Sequence, residues 1–389
     1  MALLADLPTP ALVLDHEVMD RNLAVMARRA AAWRVALRPH VKTHKCVEIA
    51  ERQRALGARG ITVSTLAEAR VFADHGFDDL TWAFPLVPSR LAEAQSLAER
   101  VTLRVVVDSP EAVDALEATG HPFHVWLKVD CGYHRAGVAP DGEQALLLAR
   151  RLAASARLRF DGLLSHSGHA YRHGRDGAAA AEGEEVAVMS RLAGRLAGEG
   201  VEVPEVSVGS TPGLAAAGPL PGVSEIRPGN YVFHDATQIA LGACGIEDCA
   251  LTVLATVVSC QPGARHAVVD AGALALSKDA GPPGLGLAMG GIYRDHRGGH
   301  RRAHGGGHGR DHGRGEGRDG RGQGRAELEP ELTLTSLTQE HGIVSGPLPV
   351  GRRIRILPNH SCLAAACFDT VHVAEGERVV ASWKIWRQR

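Results

Sequence analysis

Three short stretches carry residue types that do covalent or metal chemistry. In LRPHVKTHKC, residues 37–46, Lys42 and Lys45 stand among His40 and His44. Neighbouring positive charge and partial burial lower a lysine's pKa, and a neutral amine attacks a carbonyl. Taken alone the stretch reads as well as a solvated basic cluster, and either lysine qualifies. In PNHSC, residues 358–362, His360 and Cys362 are two apart, so on a β-strand both project from one face and share one metal ion. Zinc suits an imidazole and thiolate pair best, and water, substrate or a further residue must complete its shell. The same H-x-C pattern also fits a buried histidine beside a structural cysteine. The loops VGSTPG (208–213) and RPGNY (227–231) offer glycine, hydroxyls and free backbone N–H groups, the usual means of holding a phosphate, although each also reads as an ordinary turn.

The surrounding sequence predicts how these residues are positioned. After ALVLD (11–15), near-continuous apolar runs alternate with amphipathic or Ala-rich helical ones. The strand candidates are RVALRPHVK ending at Lys42, GITVS from Gly60, DLTWAF from Asp79 and TLRVVVD ending at Asp108. Four more follow: FHVWLKVD ending at Asp130, LRFDGLLSH ending at His166, PEVSVGS ending at Ser210 and VSEIR ending at Arg227. Their composition is that of parallel strands covered on both faces. Thr65 to Glu68 fits a capping box, and Ser109 before Pro110 fits an N-cap with proline at the first helical position. The expectation is a (β/α)8 TIM-type barrel over residues 16–235. Strand C-termini converge on one face, which gathers Lys42, Asp130, Arg135, His166, His169, Ser210, Thr211, Arg227, Gly229 and Asn230. One lysine, a basic cluster and two small polar loops describe a site for an anionic, carbonyl-bearing ligand.

Beyond Asp235 the runs ALTVLATVVSC, RHAVVDAG, ELTLTSL, RRIRILP and ERVVASWKI lack intervening helical patterns. They predict a mostly antiparallel β domain made of residues 1–15 and 236–389. A Gly/Arg/His insert at about residues 293–325 interrupts it and cannot build a core. Its histidines at 296, 300, 304, 308 and 312 would form a ligand stripe on a helix. The interspersed glycines oppose that helix at about 1 kcal/mol each, so a disordered tract with adventitious metal affinity is the expectation.

Bulk properties narrow the class. The chain has 389 residues, 45% of them hydrophobic, and a net charge of −1, so no global field argues for nucleic acid or an anionic membrane. Seven scattered cysteines without a CxxC pair fit a reducing compartment, and MALLADLPTPALVLD does not read as a secretory signal. The longest apolar stretch, residues 239–260, contains Glu247 and Asp248 and falls short of a membrane span. A cytoplasmic protein acting on a small molecule is expected.

Together the motifs resemble the pyridoxal-phosphate enzymes of fold type III, within the group of D-serine dehydratases and D-threonine aldolases with an alanine racemase-like barrel. The matching segments are TPALVLD, LRPHVKTHK, VSTLAEAR, KVDCGYHRAGV, LLSHSGHAY, VSVGSTP, EIRPGNYVFHD, VVDAG, QEHG and LPNHSC, in the family's order from residue 8 onward, leaving only the insert unmatched. The resemblance implies that Lys42 is the cofactor lysine and that VGSTP and PGNY form the phosphate cradle, with Ser210, Thr211, Gly229, Asn230 and Tyr231. It adds Arg227 to the cofactor site, places Arg135 near the cofactor's phenolic oxygen, packs His166 against the pyridine ring and puts Tyr171 in contact with the site. His360 and Cys362 become the metal ligands, for Zn2+ or Mn2+, and a homodimer is implied.

The implied reaction starts from a D-β-hydroxy amino acid. It displaces Lys42 from the cofactor, Lys42 or a neighbour removes the α-proton, and the metal draws off the β-hydroxyl. D-serine would give pyruvate and ammonia. The H-x-C pair looks like the dehydratases, whereas aldolase relatives tend to present H-x-D. The alternatives are a D-threonine aldolase-type C–C lyase, an amino-acid racemase, which has no need of the metal pair, and a non-catalytic pyridoxal-phosphate carrier, which would look like the barrel alone.

Overall fold

The computed structural model describes residues 2–387 apart from 173, 283 and 295–326. The insert histidines at 296, 300, 304, 308 and 312 therefore lie outside the described residues.

Eight short strands form one all-parallel sheet: Ala36–Leu37, Ile61–Val63, Asp79–Pro85, Thr102–Val107, His124–Lys128, Arg159–Leu164, Glu205–Val208 and Glu225–Ile226. They neighbour one another in chain order, and the first pairs with the eighth. A bridge between His40 and Thr62 closes the ring, supported by Arg59 N–H to Leu37 O at 2.9 Å and Thr62 N–H to Pro39 O at 2.8 Å. The architecture is thus the expected TIM-type barrel. Buried Val105, Val107, Val125, Leu127 and Val208 supply its apolar packing, as continuous apolar strands require when both faces are covered.

Local signals set the helix starts. Ser109 accepts the Ala112 N–H at 3.2 Å with Pro110 in the first turn, and Thr65 accepts the Glu68 N–H at 3.1 Å. The expected capping box is only half made, because the Glu68 carboxylate accepts the Ser64 N–H at 2.7 Å and pairs with Lys45.

The second sheet has nine strands. Its order is His266–Val269, Gly342–Ser345, Leu328–Leu337, Gly290–Tyr293, Arg353–Pro358, Leu251–Ser259, Ala11–Asp15, Thr370–Glu375 and Arg378–Lys384. The pairing of Ala11–Asp15 with Thr370–Glu375 is parallel and the rest are antiparallel. Three of these strands, at 290–293, 342–345 and 370–375, escaped the sequence reading because they are short and two of them open on glycine. The apolar stretch 239–260 divides into the end of helix Ala236–Ala240, a 3₁₀ turn Ile246–Asp248 and the strand Leu251–Ser259. Among the described residues no helix is long and apolar enough to cross a membrane.

Two expected placements change. The first barrel strand stops at Leu37, and Lys42 rides on a 3₁₀ turn, Val41–Thr43; the chain still pairs with the eighth strand through His40 N–H to Pro228 O at 2.9 Å, but Pro39 has no N–H to offer the second strand. His360 and Cys362 do not sit on a strand either. The strand ends at Pro358, His360 is the N-cap of helix Ser361–Ala365, and Cys362 lies in its first turn.

Candidate functional site

Lys42 lies on the turn that follows the first barrel strand, at the C-terminal end of the barrel. The residue is open to solvent, although protein atoms crowd its side chain. Burial lowers its pKa, Arg135 and Lys45 add to that, and the thiol of Cys362 and the Glu68 carboxylate oppose it. His40 lies beside it, and its Nδ1 accepts the Lys42 N–H at 3.5 Å. Burial and the charge of Lys42 hold both His40 and His166 well below the ordinary imidazole range, so both rings are neutral. His166 Nδ1 approaches the Gly209 carbonyl at 3.4 Å. Neutral rings beside a depressed lysine leave the amine as the basic group of the pocket.

The structure separates Lys45 and His44 from this role. Lys45 is tied to Glu68, which is 1% exposed. His44 packs edge-on to Phe233 and accepts the Cys46 N–H at 3.1 Å, and burial brings its pKa down to about 3.

The two loops meet over the lysine turn. Ser210 caps helix Thr211–Ala216, accepting the Gly213 N–H at 3.3 Å, and Thr211 Oγ1 accepts the Tyr231 N–H at 3.2 Å, which clamps one loop to the other. A Cβ on Gly229 would come within 2.9 Å of both His40 O and Thr43 Oγ1, so glycine is what lets this backbone approach the lysine turn. The side chains of Asn230 and Tyr231 go elsewhere. Tyr231 OH accepts from Gln53 inside the core, while Asn230 Nδ2 donates to Asp235 at 2.7 Å, to Ser361 at 3.1 Å and toward Cys362 Sγ at 3.6 Å. Arg227 is buried in the barrel interior and donates to Ser207 Oγ and to the Ser165 carbonyl. Arg135 is exposed at the rim, with its guanidinium 4.8 Å from the centroid of the Tyr133 ring.

His360 and Cys362 are close enough to shift each other's pKa, and Cys362 Sγ is hydrogen-bonded to Thr43 Oγ1, next to Lys42, at 3.3 Å. Burial opposes charge on His360, yet the Cys362 thiolate and Asp279 outweigh it and push its pKa up to about 11. Burial likewise raises Cys362, and His360 with Thr43 more than reverses this. Each of the pair thus favours the charged form of the other, and a metal ion would take the place of the imidazole proton. Asp279 accepts from His360 Nδ1 at 2.8 Å, leaving Nε2 free as a ligand. Asn230 Oδ1 is buried beside Cys362 without a hydrogen-bond partner. Soft donor, oriented imidazole and orphaned oxygen fit a divalent metal. Among the described residues no third His, Cys, Asp or Glu completes a three-ligand cluster.

The surroundings of Lys42 fit pyridoxal phosphate by the same kind of test: an amine of lowered pKa, neutral His40 and His166 nearby, basic Arg135, Lys128 and Arg227, and glycine backbone against the lysine turn. A polar cavity of 230 Å³ adjoins the metal pair, walled by Tyr171, Asn230, Asp235, Gln238, Asp279 and His360. Sequence reasoning missed Asp279, Asp235, Thr43 and Gln238. Asp235 carried a weak signal as the last residue of EIRPGNYVFHD; Asp279 carried none.

Residues 14–237 match the alanine racemase N-terminal domain, and residues 250–374 match the putative serine dehydratase domain. The chain is 38% identical to a D-threo-3-hydroxyaspartate dehydratase of Delftia sp. (strain HT23), over 98% of both proteins. It is 33% identical to a D-serine dehydratase of Dictyostelium discoideum over 97% of this chain and 96% of that protein, and 35% identical to a D-threonine aldolase of Arthrobacter sp over 98% and 93%. The structure of the Delftia dehydratase superposes with a TM-score of 0.86 over 99% of both chains, at 36% identity. A cysteine-to-alanine mutant of that enzyme is described as the metal-free form and gives the same TM-score and coverage. The chain belongs to the fold type III pyridoxal-phosphate family that joins an alanine racemase-type barrel to a serine dehydratase domain, the group of the D-serine dehydratases and D-threonine aldolases.

Proposed function

We propose that this protein is a pyridoxal-phosphate- and metal-dependent D-hydroxy amino acid dehydratase, a lyase that turns D-serine into pyruvate and ammonia. The observation that carries the reading is the imidazole and thiolate pair of His360 and Cys362, joined through Thr43 to the turn that bears Lys42. A racemase needs only the amine and a second proton donor. A metal pair beside the amine serves a reaction in which a hydroxyl must leave.

When bound, pyridoxal phosphate supplies the electron sink that makes an α-proton removable. A divalent ion, for which zinc matches the donor set, supplies the Lewis acid that a β-hydroxyl needs in order to depart. Lys42 would be the residue that holds the cofactor and would serve as the base toward the substrate's α-proton; its depressed pKa keeps it available for that. Neutral His166 would pack against the cofactor, and the loops clamped by Thr211 and Tyr231 would offer Ser210 and the Gly229 backbone to its phosphate. His360 and Cys362 hold the metal, and Asp279 fixes the imidazole tautomer. Tyr171 walls the cavity beside His360. For D-serine the elements balance without net water, since the hydroxyl leaves and water returns as ammonia is released. Seven free thiols fit a cytoplasmic setting, and the family resemblance supports a homodimer.

The test is incubation of metal-replete protein with D-serine, D-threonine and D-threo-3-hydroxyaspartate, with keto acid and aldehyde measured separately. Keto acid is expected. Aldehyde without keto acid would replace the dehydratase reading by an aldolase one, which the Arthrobacter relative makes the next choice.

A further inference from the structure

The Tyr133 ring, packed against His166, carries a pair of cations that the proposed chemistry leaves half unused. Arg135 and Arg172 converge on one aromatic ring, with guanidinium carbons 4.8 Å and 5.4 Å from the Tyr133 centroid. The ring itself is fixed. Its edge meets His166 at a centroid distance of 6.0 Å, and it lies so closely on Gly168 that a Cβ there would be 2.6 Å from Tyr133 Cδ1. Asp130 builds the turn beneath it, accepting the N–H groups of Gly132 at 3.1 Å and His134 at 2.9 Å. Arg172 directly follows Tyr171, which lines the cavity beside His360.

Two like charges held on one ring stand no more than about 10 Å apart, within roughly one Debye length, so they repel unless an anion lies between or beside them. Among the described residues neither arginine has a carboxylate partner, whereas Arg38, Arg104 and Arg151 each hold an acid. The acids of the cavity, Asp235 and Asp279, sit on the metal side, engaged by Asn230, Ser361 and His360. The two arginines on the Tyr133 ring are thus cations near Lys42 with no acid of their own to pair with among the described residues. Arg135 is the guanidinium felt at Lys42 and suits the cofactor's oxygen. Arg172 remains for the substrate.

We propose that Arg172 is a specificity-determining residue that docks a carboxylate of the amino-acid substrate by a charge-assisted hydrogen bond. The inference rests on the lyase reading above. An α-carboxylate and the β-carboxylate of a 3-hydroxyaspartate share this chemistry, and the experiment tells them apart.

The experiment measures kcat and KM of the holoenzyme and of Arg172→Gln and Arg172→Lys with D-serine and D-threo-3-hydroxyaspartate, together with the cofactor absorbance. Arg172→Gln is expected to raise KM by about tenfold or more while kcat and the cofactor spectrum hold, and Arg172→Lys to recover part of the loss. A rise for both substrates assigns the α-carboxylate; a rise for hydroxyaspartate alone assigns the β-carboxylate. KM within twofold of the parent for both, or a loss of cofactor that accompanies the kinetic change, overturns the proposal. D-alanine and D-aspartate have no β-hydroxyl, so their binding, read as a change in cofactor absorbance, tests Arg172 even if no keto acid is ever released.

Discussion

Asp279 and His360 meet across 81 positions of sequence, with Oδ2 2.8 Å from Nδ1. The Gly281 N–H donates to the other carboxylate oxygen at 2.8 Å, and Asn359 donates to the Asp279 carbonyl at 3.2 Å, so the acid is held in place before it holds the imidazole. With Nδ1 so engaged, the imidazole has one defined tautomer and Nε2 is left free to serve as a ligand.

Asp279→Ala is therefore expected to weaken metal affinity by roughly 10- to 100-fold. Binding of pyridoxal phosphate should be unchanged, because Asp279 touches nothing at Lys42. Competition with a chelator measures the first quantity and cofactor absorbance the second. Equal metal affinity in parent and variant would remove Asp279 from the site.

Lys42 and Lys45 should part company on substitution. Lys42→Ala is expected to abolish the absorbance of lysine-bound cofactor and to cut turnover on the order of 10⁴-fold, the upper range for a general base. Lys45→Ala should keep that absorbance. It instead leaves the buried Glu68 carboxylate without its ammonium, at a cost of about 3–5 kcal/mol, which denaturant unfolding would register.

Much of this site is legible in the sequence, because Lys42, the H-x-C pair and the two small polar loops are local patterns. The barrel is legible for a similar reason: eight apolar runs alternate with capped helices. What escapes is whatever depends on a side chain's direction or on a distant partner. Asn230 belongs to a phosphate-type loop by sequence, yet its amide turns to Asp235 and Cys362. Asp279 lies in a stretch of turn residues, and nothing local pairs it with His360. The Tyr133 platform depends on Gly168, 35 positions away, having no side chain.

Asp235 ties the barrel to the metal pair. Its Oδ2 accepts from Asn230 Nδ2 at 2.7 Å, from the Ser361 N–H at 3.0 Å and from Ser361 Oγ at 3.1 Å, and Oδ1 caps the following helix through Gln238 N–H at 3.0 Å. Asp235→Ala strands these buried donors and should cost about 1–3 kcal/mol or more. It should also weaken metal affinity by freeing the Ser361 turn that sets the spacing of His360 and Cys362. A variant with parental unfolding and parental metal affinity would show that the two sheets dock without it.

Lys128 makes the pH dependence of stability a sharp test of the barrel interior. It is 8% exposed at the end of the fifth barrel strand, and burial lowers its pKa to about 8, with Arg227 and Arg135 adding to this and Glu185 opposing it. Unfolding releases the lysine to water, where its pKa returns to 10.5. Below pH 8 both states carry the proton, and the folded state bears the whole cost of a buried charge. Between pH 8 and 10.5 the folded lysine is neutral while the unfolded one is still charged, so the unfolded state binds more protons and this contribution to stability rises with pH. Lys128→Met removes the group from both states. The variant should gain most over the parent below pH 8, and the gain should shrink by up to ~1.4 kcal/mol per pH unit as pH climbs toward 10.5. Urea unfolding of the two proteins at pH 7, 8.5 and 10 measures the difference directly, and groups common to both cancel. A pH-independent difference would mean that the Lys128 charge is as well solvated folded as unfolded.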